Sequence, residues 1–273
     1  MEENTGYVHE GAEEEVARLE FQANEDEEHL NNEFDILQLH SGMTILDAGC
    51  GTGAITRRIA RRIAPSSVIG VDLDEFFITK AKEFAASERI ENVQFEVGDI
   101  TDLRFSNAKF DLSYTRLVLM HVRDPIKAVS ELRRVTKSGG VVAISDTDDD
   151  AMLIYPPIPK STELRRKSIE WMKTKGVDRH IGKQLYSIFQ QAGMKSIRII
   201  PFPFVLTQEN AEALNAFGSN LLQSFEQVKG PLIEQGIITT KESDEMYKEF
   251  DDFLNHPSRF LMICMFLGIG EVP

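Results

Sequence analysis

The stretch Ile45-Leu46-Asp47-Ala48-Gly49-Cys50-Gly51-Thr52-Gly53 limits the fold more than any other part of the chain. A short apolar run leads into three glycines at alternate positions, and a helical pattern, Ala54–Ile63, begins at the next residue. Glycine lets the backbone turn tightly and lets another molecule approach within van der Waals contact. The first turn of the helix then presents unpaired N–H groups to whatever lies there. By itself such a loop is equally a tight turn with no ligand, so its meaning depends on the residues downstream.

Downstream of the loop, strand and helix alternate. Met43–Ala48 reads as the first strand and Ser67–Val71 as the second, with Val93, Phe95 and Val97 alternating in the third. Lys109–Thr115 and Val141–Ser145 read as the fourth and fifth, the latter entered through a turn at Ser138-Gly139-Gly140. Between them lie Ala54–Ile63, a helix carrying Phe77, Ala81, Phe84 and Ala85, and Pro125–Thr136 with proline in its first turn. This alternation predicts an α/β fold, a doubly wound and mostly parallel sheet covered on both faces. Residues 12–39 read as helical, with Leu30, Phe34 and Leu37 on a buried stripe. After Asp146 the rhythm changes to a proline-rich passage, a polar helix near Thr162–Lys175, and a helix over Leu185–Ala192 ended by Gly193. Ser196–Leu206 and Arg259–Gly268 read as late strands around a helical segment with Leu214, Phe217, Leu221 and Phe225 on one stripe. The expected division is a helical cover over residues 1–40, a core over 41–206 and 257–273, and a helical lid inserted at 207–256.

Charge narrows the function. The net charge is -14 and the sequence pI about 4.9, whereas nucleic-acid binding needs clustered positive charge, so no nucleic-acid partner is expected. Arg57, Arg58, Arg61 and Arg62 alternate with Ile55, Ile59 and Ile63 and read as a solvated helix face. Cys50 and Cys264 stand far apart and imply neither a disulfide framework nor a zinc cluster. The acidic N-terminus lacks a hydrophobic signal region, and the longest apolar stretch, near Phe260–Ile269, is too short to span a bilayer. A cytoplasmic protein is expected, either monomer or homodimer.

Asp72 closes the second strand in Val68-Ile69-Gly70-Val71-Asp72, where a carboxylate can accept hydrogen bonds from both hydroxyls of a ribose. Val97-Gly98-Asp99-Ile100 ends the third, where a carboxylate and backbone amides can meet an adenine edge. With LDAGCGTG, VIGVDLD, FEVGDI, FDLSYTRLVLMHVRDP and KSGGVVAISD, the chain resembles the class I, Rossmann-like S-adenosylmethionine-dependent methyltransferases, and among them the quinone-biosynthesis enzymes. The resemblance implies a seven-stranded sheet with an antiparallel edge strand, and S-adenosylmethionine as the methyl donor with S-adenosylhomocysteine as product. It implies that Asp47, Gly49, Gly51 and Gly53 pack against the methionine part, that Asp72 with Leu73 holds the ribose, and that Asp99 and Ile100 hold adenine. Backbone near Tyr114–Leu117, including Thr115 and Arg116, would meet the amino-acid end. A nicotinamide dehydrogenase would space its glycines G-x-G-x-x-G, whereas this loop reads G-x-G-x-G with Ala54 next.

Tyr7, Arg18 and Gln22 resemble a pattern found ahead of the first strand in small-molecule members of that family. The implied role is a cover over the donor, with Arg18 on its carboxylate; an ion pair between Arg18 and Glu14 is the alternative. Methyl transfer depends mainly on in-line positioning and exclusion of water. His121 is the candidate catalytic residue, able to take a proton near neutral pH, or else to order its loop. Asp146, Asp148, Asp149 and Asp150 read as a solvated loop, with an amine or a divalent ion as the rival and no metal assigned. His180 and Trp171 stay undecided. Phe202, Phe204, Phe217, Phe225 and Met246 suit either an apolar acceptor pocket or core packing. The expected function is methylation of a small, partly apolar acceptor. The alternatives are a donor-binding protein without turnover, or an enzyme acting on protein side chains.

Overall fold

The computed structural model describes residues 13–25 and 27–273. They fall into two compact units. The first comprises the chain to Thr147 with Ile181–Phe202 and Phe266–Pro273, and the second Asp148–His180 with Pro203–Met265.

In the first unit, helices α1 (Glu13–Glu25) and α2 (Glu27–Ile36) precede β1 (Ile45–Ala48), α3 (Ala54–Ile63), β2 (Val68–Asp72), α4 (Glu75–Ser87), β3 (Val93–Val97) and β4 (Phe110–Arg116). Helix α5 (Pro125–Val135) and β5 (Thr136–Thr147) come next. The chain then builds β6 (Leu153–Tyr155), α6 (Pro159–Thr174), α7 (Ile181–Gln191), β7 (Lys195–Thr207), α8 (Ala211–Glu234), α9 (Thr240–Leu254) and β8 (Phe260–Glu271). The strand order is β3-β2-β1-β4-β5-β8-β6, with β7 paired to β8. Strands β1 to β5 pair in parallel, and the order reverses between β1 and β4.

Why the central strands are rich in apolar residues is visible in the packing. Ile45 and Val68 enter a core with Leu30, Phe34, Ile59 and Ile63 from α2 and α3. Their neighbours Leu46 and Ile69 enter another, with Leu132 of α5 and Leu185 and Phe189 of α7. Successive side chains thus serve opposite faces of one sheet, which leaves no position for a polar surface. Asp74 caps α4 by accepting the Phe76 N–H, and Asp124 caps α5 by accepting that of Lys127, so both helices start at fixed points beyond a strand end.

The second unit has its own core of Leu164, Trp171, Leu214, Leu232, Met246, Phe250 and Phe253 from α6, α8 and α9. Gly218 lets α8 approach α9, since a Cβ there would lie 2.9 Å from Leu254. The Glu249 carboxylate of α9 accepts the N–H of Lys160 at 3.1 Å and of Ser161 at 2.7 Å, so it satisfies orphan donors at the start of α6. Strand β6 pairs antiparallel with β8 in this unit.

Two differences from the sequence reading stand out. The sheet has eight strands, because three residues after the acidic run form β6. Ser138-Gly139-Gly140 lies within β5, where the register jumps from Phe110↔Thr136 to Leu112↔Val141; Gly139 donates to Val272 O, and Gly140 O accepts from Val272. No described helix is long and apolar enough to cross a membrane.

The Glu249 contact yields a stability prediction. Replacing Glu249 by Ala strands two helix-start donors and is expected to cost about 1–2 kcal/mol, with Gln retaining part of this. Urea unfolding followed through Trp171 fluorescence measures it, and a wild-type midpoint for Glu249→Ala would contradict the assignment.

Candidate functional site

Strand β1 ends in a loop whose three glycines all take positive φ, 79° at Gly49, 51° at Gly51 and 75° at Gly53. A Cβ on Gly49 would fall 2.3 Å from the Val118 side chain, and one on Gly53 would fall 2.7 Å from the Phe95 ring. The Val71 carbonyl of β2 accepts the N–H groups of both Gly49 and Cys50. The loop is therefore clamped to β2 at the carboxyl ends of the strands, beside the reversal in strand order where open α/β sheets bind ligands.

Asp72, at the tip of β2, accepts the Gly51 N–H at 2.7 Å on Oδ2 and the Asp74 N–H at 3.0 Å on Oδ1. Burial pushes its pKa up, against the lowering pull of those N–H groups. Each carboxylate oxygen keeps acceptor capacity beyond the bond it makes, enough for a vicinal diol. Leu73 and Val97 are exposed at 45% and 47%, and Val97 stands in register with Asp72. Such apolar side chains at adjacent strand ends suit the face of a flat ring. Asp99 accepts the N–H and hydroxyl of Thr101, and Ile100 beside it is buried. Asp47, in β1, is almost fully enclosed and accepts the Thr56 hydroxyl at 2.6 Å. Burial raises its pKa to about 7, and the nearby charge of Asp72 adds to the rise while the Thr56 bond opposes it.

Helix α1 lies against this loop. Leu19 reaches within 3.4 Å of where a Gly51 Cβ would stand. Glu20 accepts both the Thr52 hydroxyl and Arg57 Nη2 at 2.6 Å. Arg57 also donates to Thr52 O and Glu88 and stacks over Phe84. The arginine run is thus only partly a solvated face: Arg57 is buried, while Arg61 and Arg62 pair on the surface with Glu88 and Asp35. Arg18 donates to Glu15 and to Gln22 of its own helix. Tyr7 lies outside the described residues.

At the end of β4, Thr115 is fully buried, its hydroxyl without a hydrogen-bond partner among the described residues, and Arg116 is half-buried. Beside them is a buried group that no sequence motif marked. Glu33 of α2 is fully enclosed and meets Tyr114 Oη at 2.6 Å, Ser145 Oγ at 2.5 Å and His29 Nε2 at 2.6 Å. Burial raises the Glu33 pKa, but the His29 bond, the Arg116 charge and the Ser145 bond outweigh it and leave the carboxyl below its usual range. The only signal in the sequence was the i, i+4 spacing of His29 and Glu33 next to the Leu30 and Phe34 stripe. His121 ends a short 3-10 turn, Leu119–His121, and is half-buried.

In the second unit the acidic run departs from the solvated loop expected of it. Asp148 and Asp149 are buried, as is Asp146 in the first unit, and only Asp150 is exposed. Asp149 is gripped by Arg165 and Arg179. His180 Nδ1 stands 3.4 Å from Asp148 and 3.6 Å from Asp150, an imidazole between two carboxylates. Trp171 donates to Gln235, and Phe217, Phe225 and Met246 pack in this unit's core. In the first unit, Phe202 packs edge-on against His29.

Comparison with known proteins bears on the family and the fold. A family model described as methyltransferase domain matches residues 39–193. An uncharacterized methyltransferase of Schizosaccharomyces pombe is 38% identical over 118 residues, covering 41% of this chain and 42% of that protein. The demethylmenaquinone methyltransferase of Staphylococcus carnosus is 26% identical over 179 residues, 61% of this chain and 73% of its own. The crystal structure of the YcgJ protein from Bacillus subtilis superposes with a TM-score of 0.59 at 18% identity, over 89% of this chain and 97% of its own, a likeness of fold. The chain spans about half the length or less of two of the curated relatives it matches.

The loop geometry sets two expectations. Gly49→Ala is expected to prevent native folding, because its Cβ overlaps Val118. Gly139→Ala, also at positive φ but with nothing within 4 Å, is expected to cost only about 1–2 kcal/mol of backbone strain. Denaturation midpoints compare them, and equal losses would contradict the steric account. Asp47 has a folded pKa above its unfolded one, so its contribution to stability is fully present below about pH 4 and is lost as pH rises through about 7. Asp47→Asn keeps an acceptor for Thr56 and is expected to gain melting temperature over the wild type at pH 8 relative to pH 5. Parallel melting curves at the two pH values would contradict the buried carboxyl.

Proposed function

The chain belongs to the methyltransferase-domain family, and from that premise we propose that it transfers a methyl group from S-adenosylmethionine to a small, partly apolar acceptor. The observation that carries the reading is the Asp72 carboxylate, bonded to Gly51 of the glycine loop at 2.7 Å at the reversal in strand order. It joins a diol acceptor to a cradle in which side chains would collide. Exposed Leu73 and Val97 give the adenine an apolar seat, with Asp99 and Ile100 just beyond β3. Asp47 and Asp72 lie at the loop with their carboxyls pushed toward the neutral form by burial, and a bound cationic donor would favour their ionised forms.

The sulfonium supplies an activated methyl group when bound, so the chain's task is positioning and exclusion of water. Helix α1, fastened through Glu20 to Thr52 and Arg57, closes the loop from above. His121, in the turn after β4, is our choice of proton acceptor for an oxygen or carbon nucleophile. The match to a demethylmenaquinone methyltransferase supports an apolar ring as acceptor. The free thiols of Cys50 and Cys264 suit a reducing compartment such as the cytoplasm.

Release of S-adenosylhomocysteine tests the reading. The full chain is incubated with S-adenosylmethionine and a panel of quinols, phenols and amines. Product release above the acceptor-free rate is expected from at least one apolar ring compound, falling about a hundredfold or more in Asp72→Ala as diol binding is lost. Donor binding without acceptor-dependent release across the panel would contradict turnover on such acceptors, and undiminished release by Asp72→Ala would contradict the assignment of Asp72.

A further inference from the structure

We infer that Asp148, Asp150 and His180 form a binding site for a divalent first-row transition ion, with one imidazole nitrogen and two carboxylate oxygens as ligands. The site concerns the second unit alone and stands or falls independently of methyl transfer.

The three side chains come from two segments that are remote in sequence. Asp148 and Asp150 belong to the short 3-10 turn around Asp149–Ala151, between β5 and β6. His180 follows α6, 32 positions after Asp148. Their neighbours fasten the two segments together. The Asp149 N–H donates to Arg179 O at 2.9 Å, and Arg179 donates to the Asp149 carboxylate through Nε at 3.1 Å and Nη2 at 3.0 Å. The backbone that carries the three donor groups is therefore held in place by contacts of the residues beside them.

The spacing of the three groups suits a coordination shell better than an ion pair. One ligand atom from each residue lies within 4.8 Å of the other two. His180 Nδ1 stands 3.4 Å from Asp148 Oδ1 and 3.6 Å from Asp150 Oδ2. Metal bonds of about 2.1 Å put neighbouring ligand atoms about 3.0–3.4 Å apart at octahedral or tetrahedral angles. A charged N–H closes on a carboxylate to about 2.7–2.9 Å. His29 and Glu33 do close in this way, to 2.6 Å. His180 is set back from both of its carboxylates, at the separation that an ion shared among the three would impose.

Burial and donor type add to the geometry. The Asp148 side chain is 2% exposed, that of His180 22% and that of Asp150 68%. Two carboxylates this close repel one another, and one of them is enclosed, a cost that a shared cation relieves. The exposed Asp150 leaves the cluster open to solvent, the entry path a dissociable ion needs. The acidic run by itself pointed only to oxygen ligands. An imidazole beside two carboxylates selects ions of the manganese-to-zinc series over calcium and magnesium, which favour shells of oxygen. Three protein ligands also leave a position for water or another oxygen ligand.

Calorimetry on the untagged full chain, freed of metal with a chelator, tests the site with Zn²⁺, Mn²⁺ and Ca²⁺ as separate probes. Zn²⁺ is expected to bind saturably, Mn²⁺ more weakly, and Ca²⁺ about a hundredfold or more below Zn²⁺. Asp150→Asn and His180→Gln are each expected to lower Zn²⁺ affinity about tenfold or more. Asp150 is exposed, so its variant keeps the fold even if a change at His180 does not. Saturating Zn²⁺ is expected to raise the wild-type melting temperature by about 5 °C or more, and that of Asp150→Asn by less. Undiminished Zn²⁺ binding in either folded variant would put the ion elsewhere, and no saturable binding of Zn²⁺ or Mn²⁺ would remove the site. Both results overturn the inference, as does Ca²⁺ binding as tight as that of Zn²⁺.

Discussion

The backbone between Ala48 and Ala54 turns into left-handed space at every second residue, and the rest of the site is arranged around that constraint. Val118 occupies the volume a Gly49 side chain would need, and Phe95 does the same at Gly53. The loop can then lie flat on the end of β2, where Val71 O and the Asp72 carboxylate take its N–H groups. With the loop fixed, α3 begins at a defined height, and Thr56 on its first turn reaches back to Asp47 in β1. The catalytic possibilities of the chain are set by this geometry before any reactive side chain is considered.

A second feature is the quantity of charge held under the strand ends. Asp47, Glu33 and Arg57 are each less than about a tenth exposed. Each would be costly alone, yet each has partners at hydrogen-bond distance. Both polarities are paired where they stand, Arg57 beside the loop with Glu20 and Glu88, and Glu33 at the ends of β4 and β5 with His29, Tyr114 and Ser145.

The sheet, the glycine loop and the acidic strand ends were legible because each depends on local chemistry. Helix Ala54–Ile63 was readable to the residue, since glycine stops before it and its apolar period is regular. Strand β6 escaped because three residues carry no period, and Tyr155 is followed at once by two prolines. The Gly139 turn signal misled because β5 is extended by pairing with Val272, more than a hundred residues away in sequence. Glu33 drew no reading from the sequence, because besides His29 the groups that make its burial tolerable, Tyr114 and Ser145, are remote in sequence. Asp148 and Asp149 misled for the same reason, their partners being Arg165, Arg179 and His180. What is local in energy could be read; what depends on tertiary partners could not.

The most direct measurement is an equilibrium titration of the unaltered full chain with S-adenosylmethionine and, separately, with NAD. The loop geometry and the proposed role of Asp72 toward a ribose diol predict saturable one-to-one binding of the adenosyl sulfonium and no saturation with NAD. Binding of NAD in preference, or no binding of S-adenosylmethionine, would contradict the account at its centre.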